Sequence, residues 1–267
     1  AQGVNRLSIG GQSLDNDLLN LLGRRHQASE AVQAFEAARQ AGFDNVNLDL
    51  MYGLPNQSMG QWRRTLDSLA GLAPEHISLY ALTLEEGTPM HRWAEEGKIP
   101  EPDPDLAADM YQYARESLAS AGYHHYEISN WSLPGRACEH NVVYWENGPY
   151  LGVGPGAHSR LGDYRFWTVL SPRDYNSKAA AWADAGVKRA DELIEAVLQG
   201  VSTLGGWEHL SQETTSSETM FLGLRLLDGL HLSEASARAG VDLAKKFQAP
   251  IQECIQLGLL EQDGDCL

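Results

Sequence analysis

Apolar and polar residues alternate through the stretch from Gly42 to Pro55: Val46, Leu48 and Leu50 share one parity, and Asn45, Asn47 and Asp49 share the other. A period of two sends side chains to opposite faces of an extended chain, so this stretch predicts a strand with one aliphatic face and one face of amides and a carboxylate. Helical periodicity flanks it, over Ser29 to Ala41 and again over Ser58 to Ala70. That arrangement predicts a βα unit whose helices cover the aliphatic face. The polar face must then look elsewhere. In a sheet closed into a barrel it looks into the lumen, where an unpaired Asp49 is costly unless it meets a ligand or a wet cavity.

The rest of the first third repeats the pattern. In the strand-like Gly3 to Gly10 stretch, Leu7 and Ile9 share one parity, while Arg6, Ser8 and Gln12 share the other. Asp15 is placed to cap a short helix over Asp17 to Leu22, which Gly23 ends, leaving Arg24 and Arg25 in an exposed turn. Ser29 is the N-cap expected for the next helix and Gly42 its stop; Ser58 and Gln61 have capping-box spacing for the third. With Ile77 to Leu82 as a further strand, residues 1–83 read βαβαβ, which predicts parallel strands. Three such strands leave an open edge and lumen, so further barrel upstream is expected, and with it a chain that is a fragment. Asp103 leads into a helix to Ala121, and Tyr126 to Trp131 reads as one short aromatic strand.

Beyond these elements the chain turns helical. Ser171-Pro172 reads as an N-cap followed by proline at the first helical position, opening a helix to about Ala185. Helices are predicted over Glu218 to Leu227, after Ser233, and through Leu243 to Leu257, with a turn at Asp263-Gly264. That is the outline of a winged helix with its returning strand expected to be missing. Lys245 and Lys246 are its clustered cations, and the whole chain carries a formal net charge of −16, which opposes binding to phosphate backbones. No nucleic-acid partner is expected. Three cysteines in 267 residues do not make a disulfide scaffold, and no membrane-spanning run or leader is visible; a cytoplasmic location is the expectation. The domains expected are residues 1–160 as partial barrel and closing segment, 161–205 as a helical linker, and 206–267 as a truncated winged-helix-like domain.

The densest chemistry lies between Arg136 and Ser159. Gly152, Gly154 and Gly156 lack the spacing and lysine of a phosphate loop and read as a tight backbone turn. Cys138 and His140 have no second ligand pair at zinc spacing. His124 and His125 read as a solvated pair at a strand entry. On the polar barrel face, Gln12, Arg24 and Asp49 favour a small ligand bearing both a carboxylate and hydroxyls over a satisfied core carboxylate.

The residues also carry a resemblance. The runs Gly3 to Ser13, Leu21 to Arg24 and Asn47 to Pro55 resemble successive motifs of the radical S-adenosylmethionine (SAM) proteins related to oxygen-independent coproporphyrinogen III oxidase. The runs Tyr126 to Asn130, Cys138 to Trp145 and Tyr150 to Ser159 are similar to its heme chaperone branch, the HemW type. The resemblance implies an α/β fold, the C-terminal part of a partial (β/α)6 radical SAM barrel followed by a helical, winged-helix-like C-terminal domain. It implies that Gln12, Arg24, Asp49 and Thr83 contact S-adenosylmethionine, and that His140, Asn141, Tyr144 and Trp145 contact heme. It further implies a [4Fe-4S] cluster in the intact protein only, because the family's CxxxCxxC motif is absent here, and heme-acceptor proteins as partners. The chain by itself is then expected to be incapable of reductive SAM cleavage. The alternative it leaves open is the oxidase, which decarboxylates coproporphyrinogen III; a non-radical barrel enzyme is a third reading.

Overall fold

The alternation around Asp49 forms a strand, β2 (Val46–Tyr52), at the centre of a parallel trio with β1 (Leu7–Gln12) and β3 (His76–Ala81). The computed structural model describes residues 3–184 and 202–267, which divide after Cys138 into two compact units. In the first, α1 (Asn16–Leu21) and α2 (Ala28–Gln40) link β1 to β2, and α3 (Met59–Leu72) links β2 to β3. After them come α4 (Pro89–Glu95) and α5 (Pro104–Ser120). Local chemistry sets most of the boundaries. Asp15, Ser58 and Asp103 accept from first-turn N–H groups as N-caps, which is where such side chains satisfy donors the helix leaves open.

Some elements of this unit differ from expectation. Helix α2 begins at Ala28 with Gln27, not Ser29, as its cap, because the Glu30 carboxylate reaches back to the Gln27 N–H at 2.8 Å. The stretch from Tyr126 to Trp131 is a hairpin and not a single strand: β4 (His124–Glu127) and β5 (Asn130–Ser132) pair antiparallel, and β5 pairs antiparallel with β3. The Glu127 carboxylate closes the turn by accepting from the Ser129 N–H at 3.1 Å and from the Asn130 side-chain amide. The sheet order is β1-β2-β3-β5-β4. Its aliphatic face, with Val46, Leu48, Leu50, Ile77, Leu79 and Trp131, packs with Trp62 and Met110 into one core. His125 is not a solvated side chain: it stacks on Trp131 at 3.9 Å with the ring planes nearly parallel.

The second unit opens with α6 (Glu139–Trp145), followed by the antiparallel strands β6 (His158–Leu161), β7 (Tyr164–Thr168) and β8 (Leu204–His209). Strand β7 and helix α7 (Pro172–Asp184) fall in the stretch read from sequence as a helical linker; its residues 185–201 lie outside those described. Then come α8 (Gln212–Gly223), α9 (Leu232–Ala239), α10 (Leu243–Lys246) and α11 (Gln248–Gln256). Helix α8 starts earlier than the sequence suggested, with Ser211 accepting from the Thr214 N–H, and the expected long last helix is broken at Phe247. The turn at Asp263-Gly264 does lead back: Leu267 exchanges backbone hydrogen bonds with Leu230 at 2.9 and 3.0 Å. Among the described residues no helix is long and apolar enough to cross a membrane.

Candidate functional site

Because Val46, Leu48 and Leu50 are held against the helices, Asn47 and Asp49 project from the other face of the sheet, beside Ser8 of β1 and His76 and Ser78 of β3. These side chains form a continuous hydrogen-bond relay. The Cys138 N–H lies 3.4 Å from the Tyr126 hydroxyl, which lies 2.8 Å from His76 Nε2. His76 Nδ1 lies 2.7 Å from Asn47 Oδ1, and Asn47 Nδ2 donates to Asp49 Oδ1 at 2.6 Å and to Ser8 Oγ at 2.7 Å. Ser8 in turn donates to Asp49 at 3.2 Å. One assignment satisfies every pair: Tyr126 donates to a neutral His76, His76 donates from Nδ1, and every bond points toward the Asp49 carboxylate. A branch runs from Ser78 to Asn130 at 2.6 Å and on to Glu127.

Neutral His76 agrees with its surroundings. Burial, with the charge of Arg6 as the smaller cause, pushes its pKa down to about 3. Asp49 is different in kind, being only partly buried. Its carboxylate accepts from two side chains and keeps acceptor capacity toward the open side of the sheet. The neighbouring strand leaves room there. A Cβ at Gly10, the residue in register with Asp49, would lie 2.8 Å from Gln12 Nε2, so the glutamine side chain folds back over a glycine. Gln12 itself takes a left-handed backbone (φ 62°) where β1 breaks register.

The structure thus brings Gln12 and Asp49 together on one face. Arg24 is exposed in the loop after α1, a loop tied to the end of β1 by His26 Nε2 at 3.2 Å from the Gly11 carbonyl. Among the described residues, no hydrogen bond or ion pair joins its side chain to Asp49. Thr83 lies two residues past β3, exposed, in the wall of a separate cavity of about 390 Å³ with His91 and Glu95. The sequence reading put Ser8 on the polar parity of its strand but missed His76, Ser78 and Tyr126 as members of this face. The alternation His76-Ile77-Ser78-Leu79 carried the signal for two of them.

The aromatic motif lies in the second unit, on helix α6, although the preceding Pro134-Gly135 reads in the sequence as the start of a loop. His140 and Tyr144, one turn apart, face the same way with rings 4.7 Å apart, and Tyr144 meets Tyr150 at 4.5 Å. Trp145 instead lies under Arg225, whose guanidinium carbon is 4.2 Å from the ring centre. Tyr144, Trp145, Tyr150 and Leu222 wall an apolar cavity of about 310 Å³ with Arg160 and Arg165. His140 is exposed and Asn141 partly buried. The three thiols do not fit a cluster. Cys138 is buried in the first unit, while Cys254 and Cys266 belong to the second, and no set of three metal-ligating side chains converges among the described residues.

A mixed sheet whose parallel trio has one face covered by helices and one polar face, in a chain that ends in the helices α8 to α11, defines the class: a radical SAM-type α/β fold. Residues 1–69 match the radical SAM superfamily and residues 210–267 match the HemN C-terminal domain. The chain belongs to the radical SAM superfamily and, within it, to the group that includes the HemN and HemW proteins. It is 35% identical to the heme chaperone HemW of Mycobacterium tuberculosis over 267 residues, all of this chain and 62% of the relative. With HemW of Synechocystis sp. it shares 35% identity over 229 residues, 82% of this chain and 56% of the relative. The mitochondrial radical S-adenosyl methionine domain-containing protein 1 of Bos taurus is 50% identical over 161 residues, 60% of this chain and 36% of the relative. The chain therefore spans between about a third and two-thirds of the length of these relatives. In fold it resembles coproporphyrinogen III oxidase (HemN) of Escherichia coli, with a TM-score of 0.70 and 21% identity over 96% of this chain and 57% of that one.

Proposed function

We propose that this chain is part of a heme chaperone of the HemW type, which binds heme and passes it to acceptor proteins. The observation that carries the reading is the ladder of His140, Tyr144 and Tyr150 beside an apolar cavity. An imidazole can ligate heme iron, and aromatic faces can cover the macrocycle. The relatives named as heme chaperones support it over the full chain. S-adenosylmethionine is assigned to the barrel face. Asp49 would accept from ribose hydroxyls, Gln12 would give and take hydrogen bonds beside it, and Arg24 would pair with the methionyl carboxylate. Thr83 lines another cavity, and its assignment to the adenine pocket rests on the family resemblance alone. Asn141 and Trp145 complete the heme assignment from the same helix. The [4Fe-4S] cluster of the longer protein would need thiolates other than the three here, and it would supply the electron for SAM cleavage.

The test is a heme titration of the full-length protein followed by the Soret band. His140→Ala should lose the ligated spectrum while His158→Ala, whose ring stacks on Trp167 at 5.7 Å, keeps it. An unaltered band in His140→Ala removes His140 from the iron and leaves α6 as packing.

A further inference from the structure

We propose that Arg160 binds a carboxylate of the ligand whose flat apolar body packs on Tyr144 and Tyr150. This rests on the heme reading and narrows it, since the carboxylates of heme are its two propionates. Arg160 lies on β6 directly opposite Tyr150, and the two residues exchange backbone hydrogen bonds at 3.0 and 2.9 Å. Opposite residues of an antiparallel bridge project to the same side, so the guanidinium and the phenol share one wall of the aromatic cavity.

The guanidinium is left short of acceptors. Nη1 donates to the Asn147 carbonyl, Nε is buried without a partner, and no carboxylate lies within ion-pair distance among the described residues. Its neighbour Arg165 shows the contrast. That side chain is taken by Glu208 at 2.9 Å and Glu218 at 2.7 Å, so its charge is already compensated. Leaving a partly buried cation with open donors is unfavourable, and a planar carboxylate answers its fork geometry. The acceptor that Arg160 does have is itself fixed, because the Asn147 side-chain amide is tied to Thr219 Oγ1 at 3.0 Å.

The surroundings match an amphiphile. The cavity of about 310 Å³ has an apolar wall of Tyr144, Trp145, Tyr150 and Leu222; at the low end of ligand-site volumes, it takes one edge of a macrocycle. A second cavity of about 540 Å³ shares Asn147, Gly148 and Arg160 in its wall and adds His209 and Arg238. The carboxylate end of a ligand can therefore sit in polar surroundings while its body stays among the rings.

The experiment compares heme with heme dimethyl ester, which keeps the macrocycle and lacks the charge, in titrations of the full-length protein and of Arg160→Gln. The wild type should bind heme at least about ten-fold more tightly than the diester, the scale of one charge-assisted hydrogen bond. Arg160→Gln should lose that difference while binding the diester as the wild type does, and Arg160→Lys should recover part of it. Equal wild-type affinity for the two ligands overturns the proposal even if the variants fail to fold, as does a variant that weakens both ligands alike. Heme binding that ignores the propionates sinks this inference alone; absence of heme binding by the wild type sinks the chaperone reading with it.

Discussion

Acidification should weaken the first unit through His76 before its carboxylates titrate. Folded, His76 has a pKa of about 3, against an ordinary value of 6.5, because burial disfavours the imidazolium. The relay adds a geometric reason, since a second N–H on the ring would meet the Tyr126 hydroxyl and force its proton away from the acceptor it now has. Below its ordinary pKa the unfolded chain binds a proton that the folded chain refuses, so stability falls as pH falls. Integrating the linkage gives a loss of about 2 kcal/mol between about pH 7.5 and about pH 5, growing to about 4 kcal/mol near pH 3. His125, half-buried on Trp131 and pushed down to about 4, adds to the slope in the same direction, reduced by solvent screening. Hydrogen exchange of peptides covering 46–52 and 76–81, corrected for the intrinsic effect of pH, reads the stability of this unit directly. His76→Gln should start less stable and show a shallower decline. A slope as steep in His76→Gln as in the wild type, or no slope in either, would refute the reasoning.

Other consequences follow from single contacts. Glu75 accepts from both Arg39 terminal nitrogens, at 2.7 and 2.8 Å, and from the Val46 N–H at 2.9 Å; Glu75→Ala should cost about 2 to 3 kcal/mol in urea unfolding, with Glu75→Gln milder. A Cβ at Gly152 would lie 2.2 Å from the His158 carbonyl oxygen, so Gly152→Ala should destabilise the second unit by about 1 to 3 kcal/mol without affecting exchange in β1 to β3. Calorimetry of S-adenosylmethionine binding to the full-length protein should show Asp49→Ala or Arg24→Ala weaker by about 1.5 to 3 kcal/mol. Unchanged affinity with a lowered melting temperature would make those residues structural.

What the sequence made legible was local. The alternation around Asp49 and the caps at Asp15, Ser58 and Asp103 are set by neighbours within four residues, and each stands where its pattern put it. The hairpin was hidden because its turn is made by a glutamate, not by a glycine or asparagine pair: Glu127 bonds forward to Ser129 and Asn130. Helix α6 was hidden by β-branched Val142 and Val143, which weaken the helical signal, and by the preceding Pro134-Gly135. The relay could not be read at all, because His76 and Tyr126 stand 50 residues apart and meet only when the hairpin pairs beside β3. Gln12 and Asp49 were read from the alternation as sharing a polar face, and they meet because the Gln12 side chain folds back over Gly10, the residue in register with Asp49. Thr83 was named the same way, and the fold gives it other neighbours.

The chaperone reading is tested most directly by giving the full-length, reduced protein coproporphyrinogen III and S-adenosylmethionine without oxygen, and in parallel giving the heme-loaded protein an apo heme protein. The account predicts no porphyrinogen consumed and a Soret band that moves from donor to acceptor. Steady conversion to protoporphyrinogen, with heme neither held nor passed on, would contradict it.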